Sequence, residues 1–483
     1  MCYHIVDIKS GRGKNMLKRK KIFVTLSLMV LTGVMLSGCG DKKSDKADNK
    51  GQKQVELSEI STDDVKKHLN DGEYIFVDTR NDSYYNGYKE DGQPRGGHIE
   101  GAIQYTADWI GKVNEKKLPK FVEDKGIKKD KKIVVYDSNP ENVEKVGDML
   151  KGLGYDVYAY GKFGEYVKDE SNKLVSFPKY ETLVNPLWVN ELIEGKDPEG
   201  LKNKDYMIFE VSWGPQDKSK DYNDGHIKGA YHFNTDWIEN GPDWNLSKPE
   251  VMQKNLENAG ITKDKTIVLY SNDASAALRV LYALKWAGVE DVRVLNGGLN
   301  AWKDAGYKTE TKVNTPKKVD SFGIKIPANP QIDISTPQEA EQKMKKDNYK
   351  LISIRSWDEY TGKVSGYDYI PRKGEPKGAI WGFAGSDAAS MQDYYDPDGT
   401  LRNPLELAKL WSKQGITEKD HGAFYCGTGW RAAIPWEMTQ MMGWNGFVVF
   451  DGGWNMWQMD KNLPVQEGAP NNMKKPDNLN DYK

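Results

Sequence analysis

Short apolar runs alternate with amphipathic stretches along most of this chain. Three of the runs follow the same glycine-led frame, read GIKKDKKIVVYD at 126–137, GITKDKTIVLYS at 260–271 and GITEKDHGAFYC at 415–426. Each frame predicts a strand, and a helical stretch follows each strand, at 143–153, 274–287 and 432–442. A further short strand comes next, at 157–160, 292–295 and 447–450. Strands that alternate with helices in this way predict an α/β fold, in which a small parallel sheet has helices on both faces.

The pattern repeats beyond these segments. Every copy begins with an apolar strand that ends in a charged turn, at 74–80, 206–212 and 351–355, followed by GHIEGA, GHIKGA and GEPKGA at 97–102, 225–230 and 374–379. The copies lie 134 and then 155 residues apart, which is too long for a solenoid repeat and indicates tandem domains. We predict domains at 55–180, 181–315 and 330–470 and a polar tail at 471–483, in keeping with a length of 483 residues.

The first 54 residues follow a different pattern. KRKK at 18–21 precedes an apolar run at 22–36 and then Ser37, Gly38 and Cys39, which is typical of an export signal. The segment also resembles a bacterial lipobox, so we expect lipidation of Cys39 and a protein that is extracytoplasmic and lipid-anchored to the bacterial membrane, at the cell surface or in the periplasm. Residues 1–39 would be an over-called start, with Met16 as the alternative, plus the signal, and residues 40–54 a flexible tether.

Charge, cysteine count and histidine spacing argue against nucleic-acid binding, an internal disulfide and a metal site. The formal net charge of −2 argues against a nucleic-acid binder, whose surface would be clearly basic. Of the three cysteines, Cys2 lies ahead of the expected start and Cys39 would be lipidated, so Cys426 alone remains in the body and no internal disulfide is expected. The six histidines show no zinc-ligand spacing, and we predict no metal site.

Cys426 opens the loop CGTGWR, which holds a thiol, two glycines and an arginine in six residues. The glycines permit backbone conformations that are closed to other residues, so successive N–H groups can converge on one centre. These dipoles and the amino end of the following helix both favour the thiolate form of a cysteine. A buried inert cysteine is the weaker interpretation, since such a residue needs no loop of this composition.

The body from about 55 to 466 resembles the rhodanese, or sulfurtransferase, family. The resemblance rests on Asp78-Thr79-Arg80, the two GHI-x-GA turns, the C-x-x-G-x-R loop and the closing NGGLNAW and DGGWNMW. The layout is similar to the exported bacterial three-domain members, whose third domain is catalytic. It implies three tandem rhodanese-like domains and sulfur transfer through a persulfide on Cys426. Asp137 and Ser271 stand at the cysteine position in the first two domains, which we therefore expect to be inactive.

The resemblance also implies a set of site residues and small-molecule partners. The donor would be thiosulfate or 3-mercaptopyruvate, the acceptor cyanide or a thiol, and no cofactor is expected; a protein partner is not identified. Arg372 and Lys373 are further cationic candidates for the donor pocket. Ser353 stands where the family usually has aspartate, and Glu375-Pro376 replaces the His-Ile of the turn. The residues expected to form the active-site loop and bind substrate are Gly427, Thr428, Gly429, Trp430, Arg431, Ala432 and Arg355.

Three alternatives stay open. A sulfur carrier would hold the persulfide and pass it to another protein without turning over free thiosulfate. A purely structural array would leave Cys426 incidental. Cysteine phosphatases of this fold resemble C-x5-R, whereas four residues separate Cys426 from Arg431, so phosphatase activity is the more remote enzymatic alternative.

Overall fold

The computed structural model describes residues 57–346, 348–470 and 473–476. The predicted export signal, the tether and Cys39 lie outside the described residues, and so does most of the predicted polar tail. In the part of the chain that is described, no helix is both long enough and apolar enough to cross a membrane.

Three five-stranded sheets follow one another along the chain, and the three have the same strand order. Counted along the chain within a sheet, the strands lie in the order first, fifth, fourth, second and third. All neighbouring strands in them are parallel, which confirms the predicted α/β class and the three-fold repeat. The fourth strand, central in each sheet, is the one that the glycine-led frame predicts.

The strand bounds are as follows, from one edge to the other. The first sheet contains Ser58–Glu59, Asp156–Tyr160, Lys132–Tyr136, Tyr74–Asp78 and Ile103–Gln104. The second contains Leu183–Val184, Asp291–Leu295, Thr266–Tyr270, Tyr206–Ser212 and Tyr231–Asn234. The third contains Asp333–Ile334, Phe447–Phe450, His421–Tyr425, Tyr349–Ser353 and Ile380–Trp381.

Each sheet is accompanied by five α-helices in the described residues. Those of the first domain are Thr62–His68, Asp82–Asn86, Leu118–Asp124, Pro140–Gly152 and Phe163–Lys168. Those of the second are Pro186–Ile193, Lys220–Asn223, Pro249–Asn258, Ala274–Ala287 and Gly298–Asp304. Those of the third are Pro337–Met344, Trp357–Tyr360, Pro404–Ser412, Ala433–Met441 and Gly453–Met459.

Short elements complete the domains. The turn after each second strand pairs antiparallel with a strand near the end of the domain: His98–Ile99 with Leu174–Val175, His226–Ile227 with Thr309–Glu310, and Glu375–Pro376 with Val465–Gln466. The 3-10 turns are Ala107–Trp109, Tyr180–Thr182, Gln216–Lys218, Thr235–Trp237, Pro330–Ile332 and Gln392–Tyr394.

Local sequence explains where the helices after the central strands begin. The side chains of Asn139 and Asp273 accept hydrogen bonds from the N–H groups of Glu141 and Ser275, which caps the first turn of each helix. The helix Ala433–Met441 has no such side-chain cap and begins seven residues after Cys426, whereas its counterparts begin three residues after Asp137 and Ser271. The third domain therefore has room for a loop that the other two lack.

The second and third domains share one hydrophobic core. The helix Ala274–Ala287 packs against Ala433–Met441, where the rings of Tyr282 and Trp436 meet edge to face with centroids 5.1 Å apart. This packing places the second domain directly behind the loop that begins at Cys426.

Candidate active site

Cys426 directly follows the central strand His421–Tyr425, at the carboxyl edge of the third sheet. Its side chain is a free thiol and is fully buried. Ligands of open parallel sheets bind beyond this edge of the sheet. The structure therefore places the predicted nucleophile where a parallel fold forms its binding sites.

The backbone at the start of the loop is held by two residues of the helix Gly453–Met459. The N–H of Trp454 donates to the carbonyl oxygen of Cys426 at 2.8 Å, and the N–H of Asn455 donates to that of Gly427 at 2.9 Å. The N–H groups from Gly427 to Ala432 donate to no acceptor in the described part of the chain. Because these donors precede the helix Ala433–Met441, they can bind an anion together with its amino end.

Two glycines of the loop are required by close contacts. A Cβ on Gly427 would lie 2.2 Å from the ring of Tyr367. Gly429 has a φ of +85°, and a Cβ there would lie 2.7 Å from a carboxylate oxygen of Asp451 and 2.8 Å from a guanidinium nitrogen of Arg279. Any side chain at either position would thus displace its neighbours or the loop.

Arg431 closes the loop and is bound by a buried carboxylate. Both of its terminal nitrogens donate to Glu359 at 3.0 Å, and Nη2 also donates to the hydroxyl of Tyr367 at 3.0 Å. Burial opposes charge on the guanidinium, but the Glu359 carboxylate, Tyr367 and Cys426 together outweigh burial and raise the pKa of Arg431. Binding of a donor by Arg431 stays a prediction; the geometry shows that this side chain anchors the loop.

Arg355 lies behind the site and is fully buried. It donates to Glu359 at 3.3 Å, to Glu375 at 2.5 Å, and to the carbonyl oxygens of Gly374 and Ser365 at 2.7 and 2.8 Å. Its guanidinium is thus directed at protein acceptors, and its predicted role in binding the donor also stays a prediction.

Two residues of the site escaped the sequence analysis, Glu359 and Tyr367. The signal for Glu359 is the capping box SWDE, in which Ser356 and Glu359 bond to each other's backbone N–H at the start of Trp357–Tyr360. Tyr367 lies in the connection after that helix, contacts Gly427 and is within electrostatic range of Cys426. No local pattern marks this tyrosine, since its contacts come from residues about 60 positions away.

Aromatic side chains surround the loop. Tyr369, which is 40% exposed, lies 5.5 Å from Tyr367 and 6.3 Å from Trp244 between ring centroids, and its hydroxyl hydrogen-bonds with Thr428. Trp430 is half-buried and its indole N–H donates to Glu239 of the second domain.

Of the cationic candidates, Lys373 is exposed and donates to the carbonyl oxygen of Lys363 at 2.9 Å. Arg372 is half-buried, and its carbonyl accepts a hydrogen bond from Trp454 at 3.0 Å.

The equivalent positions in the first two domains are occupied by structural side chains. Asp137 accepts hydrogen bonds from Thr79 at 2.9 Å, from Asn142 at 3.0 Å and from the N–H of Asn139 at 2.8 Å. Ser271 donates to the carbonyl of Asp273 and accepts from the N–H of Ala277 at 3.2 Å. Neither position is followed by a loop like CGTGWR.

Known proteins are similar to this chain along most of its length. The model of the rhodanese-like domain matches residues 61–163, 191–305 and 336–460. Thiosulfate sulfurtransferase YnjE from Escherichia coli (strain K12) is 36% identical over 395 residues, which are 81% of this chain and 88% of that protein. Sulfur carrier protein TtuD from Thermus thermophilus is 25% identical over 307 residues, 60% of this chain and 97% of that protein.

Solved structures of EanB are similar to this chain at 35% identity. One, in complex with hercynine, has a TM-score of 0.82 and covers 87% of this chain and 100% of the other. A second, with a cysteine persulfide and ergothioneine, has a TM-score of 0.80 and covers 86% and 100%. Since the family model matches all three domains, the chain belongs to the rhodanese family and is a transferase of the sulfurtransferase type.

Proposed function

We propose that the protein transfers a sulfane sulfur from thiosulfate, or from 3-mercaptopyruvate, to a thiophilic acceptor through a persulfide on Cys426. The observation that carries this proposal is that Cys426 is a buried free thiol at the start of a loop whose N–H groups, at residues 427–432, donate to no acceptor in the described part of the chain. A cysteine at such a centre is suited to nucleophilic attack and to holding the anion that results.

The reaction has two steps. The Cys426 thiolate attacks the outer sulfur of thiosulfate, a new S–S bond forms, and the old S–S bond breaks as sulfite leaves with its electron pair. The terminal sulfur of the persulfide then carries the negative charge, one atom beyond Sγ, where N–H groups of the loop would stabilise it. Cyanide or a thiolate attacks that sulfur, and the Cys426 thiolate is released as the leaving group.

The experiment incubates the purified chain with thiosulfate and then cyanide, while thiocyanate is measured. We expect turnover in the wild-type protein, none in Cys426→Ser, and a mass increase of one sulfur atom on Cys426 after thiosulfate alone. A matched control places a cysteine in the second domain, as Ser271→Cys in the Cys426→Ser background. This double variant should stay inactive, because Ser271 lacks the loop. Wild-type protein that yields neither thiocyanate nor the mass increase would refute the proposal.

A second candidate is transfer of the sulfur to a larger acceptor without turnover of cyanide. The similarity to a protein named as a sulfur carrier supports a protein acceptor. The rings of Tyr367, Tyr369 and Trp244 support an aromatic small molecule as the acceptor, since the similar EanB binds hercynine and ergothioneine. Stable persulfide on Cys426 with no thiocyanate would favour this candidate. Hercynine and a panel of thiol proteins, each added to the persulfide form, would then separate the two acceptors.

We also propose that Cys39 is lipidated and that the protein is extracytoplasmic. The lipobox-like Leu36-Ser37-Gly38-Cys39 after a basic and apolar stretch supports this. Expression of the full chain in a bacterium with labelled palmitate should label the wild-type protein. Cys39→Ser should lose both the label and the membrane fraction, and labelling of that variant would contradict the proposal.

A further inference from the structure

Residues 239–246 of the second domain form a loop that is closed on itself and reaches the third domain. Glu239 and Leu246 pair across its base, and the N–H of Ser247 donates to the carbonyl of Ile238 at 2.7 Å. Within it, Trp244 has a φ of +60°, which is unusual for a bulky residue and needs support from its surroundings. The loop therefore has a defined conformation, which its own hydrogen bonds and its surroundings maintain.

The tip of this loop is bound by Asn455, which also binds the backbone of the loop CGTGWR. The side-chain amide of Asn455 donates to the carbonyls of Pro242 and Asp243 at 3.1 and 3.2 Å, while its backbone N–H donates to the carbonyl of Gly427. One residue thus connects the 239–246 loop to the backbone next to Cys426.

A buried charge network forms a second connection. Arg279, fully buried on the helix Ala274–Ala287, donates to Glu239 at 2.9 Å and lies 2.5 Å from Asp451 of the third domain. Glu239 accepts the indole N–H of Trp430 on its other oxygen. The N–H of Leu246 donates to the second oxygen of Asp451 at 2.6 Å. Each carboxylate therefore contacts a residue of the other domain.

This network lies directly against the catalytic loop. The nearest atoms to a Cβ on Gly429 would be Asp451 and Arg279, and Trp430 is the next residue along the loop. Burial raises the pKa of Glu239 to about 7, although Arg279 and the hydrogen bond from Trp430 lower it.

We propose that Glu239 and Arg279 are positioning residues for the loop CGTGWR, so that the second domain is required for sulfur transfer although it has no cysteine of its own. The inference rests on the proposed function of Cys426. Glu239 fixes the indole of Trp430, and Arg279 holds Glu239 and Asp451 in place behind Gly429. The N–H groups of the loop are then held at their positions around the sulfur before the donor arrives.

The test measures the single-turnover rate constant of persulfide formation with excess thiosulfate, followed by mass spectrometry. A lower folded fraction reduces the amplitude of this reaction and leaves its rate constant unchanged, so the readout separates positioning from stability. In Glu239→Gln one amide oxygen replaces two carboxylate acceptors, and we expect the rate constant to fall by about tenfold to a hundredfold. Trp430→Phe keeps the ring and loses the N–H, and it should show a comparable loss.

Two comparisons make the result decisive. Glu239→Gln and Trp430→Phe should be non-additive in the double variant, because both remove the same hydrogen bond. Lys285→Met breaks another ion pair between the same two domains, in which Lys285 lies 2.8 Å from Glu437, and it should keep the wild-type rate constant.

A wild-type rate constant in Glu239→Gln, additive losses, or an equal loss in Lys285→Met would overturn the inference. Absence of the persulfide from the wild-type protein would instead refute the proposed function.

Discussion

Glu359 lies between two guanidinium groups, those of Arg431 and Arg355, and is itself fully buried. Burial by itself would raise the pKa of this carboxyl, but the two positive charges outweigh burial and lower the pKa from 4.5 to about 2. The charged form of Glu359 thus joins the end of the loop CGTGWR to the helix Trp357–Tyr360.

This arrangement predicts a pH dependence of stability. Because the pKa of Glu359 is lower in the fold than in the unfolded chain, its carboxylate stabilises the fold above about pH 4.5, and that contribution is lost as the pH falls toward 2. A shift of this size corresponds to about 3 kcal/mol of the free energy of unfolding. Urea denaturation at a series of pH values between about 6 and 2 would measure it.

Glu359→Gln is the control for that prediction. The variant leaves two buried arginines without their common carboxylate, so it should be less stable at neutral pH by about 3–5 kcal/mol. Its stability should also depend less on pH than that of the wild-type protein over the same range. Parallel curves for the two proteins would show that Glu359 is not the titrating group.

Ser353, which stands where the family usually has aspartate, shows which effects of a single residue can be predicted from the sequence and which cannot. In the first domain Asp78 accepts the hydroxyl of Tyr136 at 2.8 Å and pairs with Arg80 at 2.7 Å. Ser353 occupies the same register in the third sheet, and Glu375 of the turn accepts the hydroxyl of Tyr425 and pairs with Arg355. The two departures noticed in the sequence compensate for each other, which could be recognised only when residues 22 positions apart were placed side by side.

At the scale of elements, hydrophobic periodicity predicted three strands and one helix of each domain, whereas the two edge strands of each sheet and the other helices were not predicted. The frame ending in Cys426 predicted the strand His421–Tyr425. Pro435 lies in the first turn of the following helix, where the missing N–H of proline costs little. The close packing of the loop between them was not predictable, because its neighbours come from the second domain and from the segment that follows Phe447–Phe450. Short-range patterns determine elements, whereas contacts across domains determine the site.

That packing gives a prediction for Gly429→Ala. Alanine would be strained at φ +85° and would also contact Asp451 and Arg279, so the loop must move. We expect the turnover rate to fall by about a hundredfold.

Gly415→Ala is the matched control, since Gly415 has a φ of +71° and a Cβ there would meet nothing within 4 Å. It should cost about 1–2 kcal/mol of stability and leave turnover near the wild-type value. An equal loss of turnover in both variants would mean that backbone strain alone, which the two positions share, causes the loss in Gly429→Ala, and the contacts with Asp451 and Arg279 would not be needed to explain it.

At the scale of the whole molecule, the first domain is joined to the third by a buried lysine. The ammonium group of Lys125 lies 2.8 Å from Asp396, 2.9 Å from Glu406 and 4.0 Å from the ring centre of Trp109. The indole N–H of Trp109 donates to Asp398 at 3.1 Å. In the described part of the chain, none of these side chains is hydrogen-bonded to the 239–246 loop or to the loop CGTGWR, so we expect the first domain to have a supporting role that is separate from that loop.

Lys125→Met tests this separation. Removing the ammonium leaves Asp396 and Glu406 without their shared cation, and we expect the free energy of unfolding to fall by about 3–5 kcal/mol. The rate constant of persulfide formation should stay at the wild-type value, since no contact with Cys426 or its loop is changed.

Lys112→Met is the control, because Lys112 also joins two domains, through Asp304 at 3.4 Å, but both side chains are exposed. That exposed pair should contribute less than about 1 kcal/mol. Equal stability of the two variants in urea denaturation would contradict the role of Lys125, and a slower persulfide reaction in Lys125→Met would show that the first domain also positions the site.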